Sequence, residues 1–70
     1  MPIIMAPVDQ EVRIVRIIAD EKTKKHLENL GITLNSTVTV LSVQSGGVIL
    51  KVKDGRLALD ASLSRKIFIA

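Results

Sequence analysis

Apolar residues in the first half of the chain form one dense run. Val12-Arg13-Ile14-Val15-Arg16-Ile17-Ile18 is rich in β-branched residues and predicts a strand buried on much of both faces. Asp20 then has the character of a helix N-cap, and Glu21 in the first turn complements the helix dipole. Leu27 and Leu30 lie three apart, with Thr23 four before Leu27, which predicts a narrow apolar stripe on a helix of about two and a half turns. Gly31 follows as its terminator, because a left-handed residue is wanted there and glycine adopts that conformation without strain.

The second half alternates. Val38 and Val40 face one way, with Thr39, Leu41 and Val43 facing the other; Val48, Leu50 and Val52 line one face of a returning strand. Ser45-Gly46-Gly47 reads as the turn between them. Asp54-Gly55 is the strongest hairpin signal, since both residues accept the positive φ of a type I′ turn. Leu57-Ala58-Leu59 predicts a short strand, and Asp60 caps a single helical or 3₁₀ turn over Ala61-Ser62-Leu63-Ser64. Ile67-Phe68-Ile69 closes the sheet. Residues 1 to 10, broken by Pro2 and Pro7, read as an irregular lead-in.

These elements predict a mostly β chain: a small SH3-like barrel of about five strands, with one inserted helix and a short 3₁₀ turn before the last strand. An OB-fold places its helix between the third and fourth strands, whereas here the helix follows the first. No internal repeat or low-complexity segment is present, and residues 1–70 are expected to form a single domain.

Composition narrows the function. Hydrophobic residues make up 47% of the chain and are nearly all aliphatic, enough for one compact core. With no Cys, the chain has no disulfide, no thiolate catalysis and no Cys-based zinc site. No apolar run approaches the ~20 residues that span a bilayer, and the opening segment lacks the basic n-region of a signal peptide. A cytoplasmic protein with no direct membrane insertion is therefore expected. Peptide-binding SH3 domains grip polyproline with Tyr and Trp, and this chain has neither. Single-stranded nucleic-acid binders stack bases on aromatics, and here Phe68 is the one aromatic ring. Nucleic acid is thus disfavoured as a partner, leaving phosphate contacts alone.

A search for chemistry returns no catalytic set. His26 is the lone imidazole, and its neighbours four residues away are Lys22 and Leu30, not ligands. Asp9, Glu11, Asp20, Glu21 and Glu28 are not spaced as a metal site. Ser45-Gly46-Gly47 lacks the Lys-Ser/Thr and helix start of a phosphate-binding loop. No catalytic residue, cofactor or metal ligand is assigned. The net charge of +3 leaves two basic groups: Lys22, Lys24 and Lys25 on the predicted helix, and Lys51, Lys53 and Arg56 about one hairpin. Their plain reading is a solvated surface; their functional reading is contact with an acidic partner. Phe68 is predicted to turn outward between two core isoleucines. There it either anchors a partner or a second copy, or packs under the N-terminal segment on Ile3, Ile4 or Met5.

The order of these elements resembles the FeoA family, small cytoplasmic components of bacterial ferrous iron uptake. The carriers are Val15-Arg16-Ile17, Leu27-x-x-Leu30-Gly31-Ile32, Thr37-Val38-Thr39-Val40, Arg56-Leu57-Ala58-Leu59 and Ile67-x-Ile69. Leu34-Asn35 stands where the family favours Pro-Gly, and Asn tolerates the left-handed conformation that turn needs. Pro7 is followed by Val8 where the family has Gly. The same barrel is the C-terminal domain of iron-dependent repressors similar to the diphtheria toxin repressor.

The resemblance implies an accessory without catalysis, acting on the cytoplasmic region of a FeoB-like membrane permease that binds GTP. An iron-transport family name does not make the chain itself an iron binder. Candidate contact residues are Phe68, Lys22, Lys25, His26, Lys51, Lys53 and Arg56. The competing readings are a small basic barrel on nucleic-acid phosphates and a regulatory barrel for a separate repressor chain.

Overall fold

The computed structural model describes residues 1–53 and 55–70. After a 3₁₀ turn at Ile3–Met5 come β1 (Glu11–Ile17), α1 (Glu21–Asn29), β2 (Thr37–Gln44), β3 (Gly47–Val52), β4 (Gly55–Leu59), α2 (Ala61–Ser64) and β5 (Ile67–Ile69). The strands form one antiparallel sheet in the order β4-β3-β2-β1-β5. Its inner face holds an aliphatic core in which Ile14, Val40, Leu50, Ile67 and Ile69 are buried.

The helix begins and ends as its sequence predicts. Asp20 accepts a hydrogen bond from the Thr23 backbone N–H at 2.7 Å, which satisfies one of the free donors of the first turn. At the other end Gly31 has φ +97°, its N–H donates to Glu28 O at 3.0 Å, and the Ile32 N–H donates to Leu27 O at 2.9 Å. That pair of bonds is a Schellman cap, and Leu27 and Ile32, which meet across it, are both fully buried. One cap thus ends the helix and delivers the chain into the core. Asn35 then takes φ +68° in the link to β2, the left-handed conformation expected of it.

β1 differs from the sequence expectation. Its inner face is buried at Val12 and Ile14, but Val15 is 41% exposed and Ile18, beyond the strand end, 50%. The register against β5 shifts between Ile14 and Arg16. This bulge leaves Val15 and Arg16 both outward and returns Ile17 toward the core, so the apolar run needs no second covered face.

The β2–β3 hairpin closes on the pair Gln44 and Gly47, so its loop is Ser45-Gly46, with φ +52° and +79°. Positive φ at both positions is type I′ geometry. The expected Asp54-Gly55 turn involves Asp54, outside the described residues. Gly55 itself is the first residue of β4, paired with Val52, at φ +143°.

The segment before β5 is α-helical, with Ser64 and Arg65 N–H groups donating to Asp60 and Ala61 carbonyls. It closes with a tighter bond from the Lys66 N–H to Leu63 O. Asp60 caps it through a 2.8 Å bond from the Leu63 N–H. The lead-in is more than irregular. Ile3 is fully buried, Pro2 bridges Phe68, and Met1 O accepts from the Ile69 N–H, so this segment is tied to β5 by an isolated bridge.

Candidate functional site

Tracing one residue from each of four neighbouring strands gives a row across the outer face: Glu11, Thr39, Lys51 and Arg56 are successive Cα partners. The alternation that buries Leu50 and half-buries Leu57 therefore sets Lys51 opposite Arg56, both exposed. Lys53 follows the end of β3 in the turn, also exposed, and lines the same depression as Lys51. Like charges directly opposite in an antiparallel pair repel. The nearest acid in this row, Glu11, stands two strands away behind Thr39. Among the described residues, the β4 end of the sheet thus gathers three exposed cations.

Two shallow depressions adjoin this group and share Gly31, Val52 and Lys53. The larger, about 620 Å³, is floored by Thr37, Val38 and Thr39, with Lys51 and Lys53 on its rim. The smaller, about 540 Å³, lies between the end of α1 at Glu28–Gly31 and the start of β4 at Gly55–Leu57. Together they make a groove with a cationic lip and a half-buried apolar floor of Leu30, Val52 and Leu57.

The other candidate residues lie apart from it. Lys22, Lys25 and His26 are exposed on α1, within a stretch of helix whose one buried residue is Leu27. Phe68 sits on β5, at the far end of the strand order from β4, between Arg16 of β1 and Pro2 of the lead-in. Ile67 and Ile69 point into the core as alternation requires, while Phe68 is half-buried, with the lead-in running beside it. The hairpin cations are brought together; the helix residues and Phe68 do not join them.

Among the described residues no three of His, Cys, Asp and Glu gather as metal ligands. No described helix is long and apolar enough to cross a membrane. The Asp20 carboxyl is tuned by the helix end that it caps. The Thr23 side chain, then its backbone N–H, hold the carboxyl below the usual carboxylate range, with a smaller pull from Lys66. That is helix capping.

Sequence reasoning missed the opposition of Lys51 and Arg56. A turn centred on Asp54-Gly55 would have set Lys53, not Lys51, against Arg56. Pairing Val52 with Gly55 shifts the register and sets Lys51 in that place instead.

A five-stranded antiparallel sheet around an aliphatic core, with its helix after the first strand, defines an SH3-like β-barrel domain. A profile of the FeoA domain matches residues 1–70, so the chain belongs to the FeoA family, the small accessory domains of ferrous iron transport.

Solved structures agree on the fold. A FeoA protein described as an iron uptake regulatory protein superposes with a TM-score of 0.87 at 21% identity, over 99% of this chain and 93% of that one. A FeoA-like protein from Clostridium acetobutylicum superposes at 0.80 and 14% identity, over 100% of this chain and 84% of that one. A manganese-dependent transcriptional repressor gives 0.87 at 18% identity over 100% of this chain, which spans 40% of the repressor's length. No curated protein matches the chain in sequence.

Proposed function

We propose that this chain is the accessory of a ferrous iron permease, working in the cytoplasm as a protein-interaction module on the cytoplasmic region of a FeoB-type GTP-binding partner. The observation that carries this reading is the FeoA match over residues 1–70. The described surface is consistent with it, offering a groove with a charged lip. Such a module acts by contact, changing the GTPase state or assembly of its partner without catalysis of its own. The likeness to manganese-dependent transcriptional repressors is one of fold, at 18–19% identity, and supports no separate regulatory reading.

Two surfaces compete for the contact: Phe68 on β5, and the Lys51–Lys53–Arg56 group at β4. The test is a calorimetric titration against the cytoplasmic region of the permease from the same organism, with and without guanine nucleotide. Phe68→Ala and the double variant Lys51→Glu/Arg56→Glu are run alongside. Saturable binding is expected, weakened by one variant and spared by the other, which identifies the face. Absence of binding in every nucleotide state refutes the reading.

A further inference from the structure

The strand order leaves β4 at one end of the sheet, with no strand beyond it. Alternate residues of such an edge turn their N–H and C=O groups outward, a template for one more strand. Natural edges are often blunted by charge, and here the blunting is selective. A second copy of this edge brings a second set of the same three cations, so self-pairing is opposed. An acidic strand meets them with opposite charge and relieves the Lys51–Arg56 repulsion.

Side-chain alternation adds a second requirement. Arg56 and Ala58 of β4 face outward, while Leu57, half-buried, faces the groove floor with Leu30 and Val52. A strand laid beside β4 presents every second residue to the cationic face and the others to that floor. We propose that the β4 edge is a docking site for an extended protein segment of about five residues that alternates acidic and apolar side chains. The inference deepens the docking reading above by naming the chemistry and geometry of the partner's segment, and it is tested without the permease.

The probe is a capped hexapeptide alternating glutamate and valine, titrated into the ¹⁵N-labelled protein. Comparators are a peptide of the same composition in two blocks, one alternating lysine and valine, and an eight-residue oligothymidylate. The alternating acidic peptide is expected to shift the amides of Gly55–Leu59 and to slow exchange at every second amide of β4. That period-two protection is something diffuse charge attraction would not produce. The block peptide is expected to bind about tenfold more weakly, and Lys51→Glu/Arg56→Glu to reverse the preference toward the lysine peptide. Both positions are exposed, so the double variant is expected to stay folded.

Equal binding of the two acidic peptides, protection without the alternation, or shifts centred on α1 would overturn the edge. Tighter binding of the oligothymidylate would replace it with a phosphate site. Permease binding in calorimetry without peptide binding here discards the edge and keeps the accessory role. Peptide binding without permease binding does the reverse.

Discussion

Replacing Gly47 with alanine adds one methyl group where the backbone of another strand already stands. An ideal Cβ at this position lies 2.7 Å from Leu59 O, roughly 0.7 Å short of the 3.4 Å at which ordinary contact begins. The obstacle is a carbonyl, so no side-chain rotation relieves it. Nor is that carbonyl free to move. It accepts from the buried Ser64 Oγ at 3.3 Å, and the next carbonyl, Asp60 O, accepts from Ser64 Oγ at 2.7 Å and Ser64 N at 2.9 Å. Displacing Leu59 O therefore disturbs both the end of β4 and the turn of α2. Overpacking of this kind costs about 1–3 kcal/mol. Alanine returns about 0.4–1 kcal/mol by restricting the unfolded chain, so a net loss of about 1–2 kcal/mol is expected. At about 4–8 °C per kcal/mol for a domain of this size, Tm should fall by about 5–15 °C.

Thermal and urea unfolding followed by circular dichroism measure this directly, with Gly31 as the internal contrast. Nothing lies within 4 Å of a Cβ at Gly31, but its φ of +97° strains any other residue. Gly31→Asn should therefore be milder than Gly31→Ala, because Asn tolerates the left-handed region. At Gly47 the problem is space, so Asn should be no better than Ala. A Gly47→Ala protein as stable as the wild type, or more so, would refute the close approach of β3 to the β4–α2 corner.

Ile3→Ala should cost about 2–5 kcal/mol in urea unfolding, as for any truncated core aliphatic; a negligible change would remove the lead-in from the core. Ser64→Ala should cost about 1 kcal/mol, since it deletes the buried hydroxyl that ties Leu59 O to Asp60 O. Asp20 sets an acid limit on α1. Its folded pKa is depressed, so its contribution is fully present above the unfolded carboxylate range and lost as pH falls through the folded value. The protection factor of the Thr23 amide, its exchange relative to an unstructured amide at the same pH, should fall in acid in the wild type and lose that pH dependence in Asp20→Asn, which retains an N-cap acceptor; identical pH profiles would show that the carboxylate does not hold the turn.

Local signals carried most of the fold. Asp20, Gly31 and Asp60 each announce a terminus by the chemistry a helix end demands, and the alternation of Val38, Val40, Val48 and Leu50 fixes which face is inside. What could not be read was set by long-range pairing. The bulge at Val15 depends on how β5 meets β1, whose paired residues lie about 50 to 55 positions apart in the chain, so a run of β-branched residues looked doubly buried when one face is open. Ile3 shows the same limit. Its Pro-flanked segment lacks periodicity, yet pairing of Pro2 with Phe68 carries it into the core. The candidate contact surface was legible in composition as three cations near one hairpin, and illegible in arrangement, because a shift in the register decides which cations oppose.

That arrangement bears on why a chain so short would tolerate it. Lys51 and Arg56 could each be exchanged for a neutral β-former with no loss to the core, since both are exposed and neither is needed for the alternation that buries Leu50. Keeping them opposite one another costs the free domain some stability, about 0.2–1 kcal/mol by the usual scale of cross-strand pairs. The same repulsion keeps the open β4 edge from pairing with a copy of itself, and it is released when an acidic strand arrives. A feature unfavourable in isolation thereby contributes twice, once as protection of a free edge and once as selectivity for what binds there. If the repulsion served protection alone, Lys51→Glu should leave partner binding intact. If it also selects the partner, the same change should stabilise the free domain, by converting a repulsive pair into an attractive one, while weakening its hold on an acidic segment. Opposite signs in those two measurements, made on one variant, are the expected result.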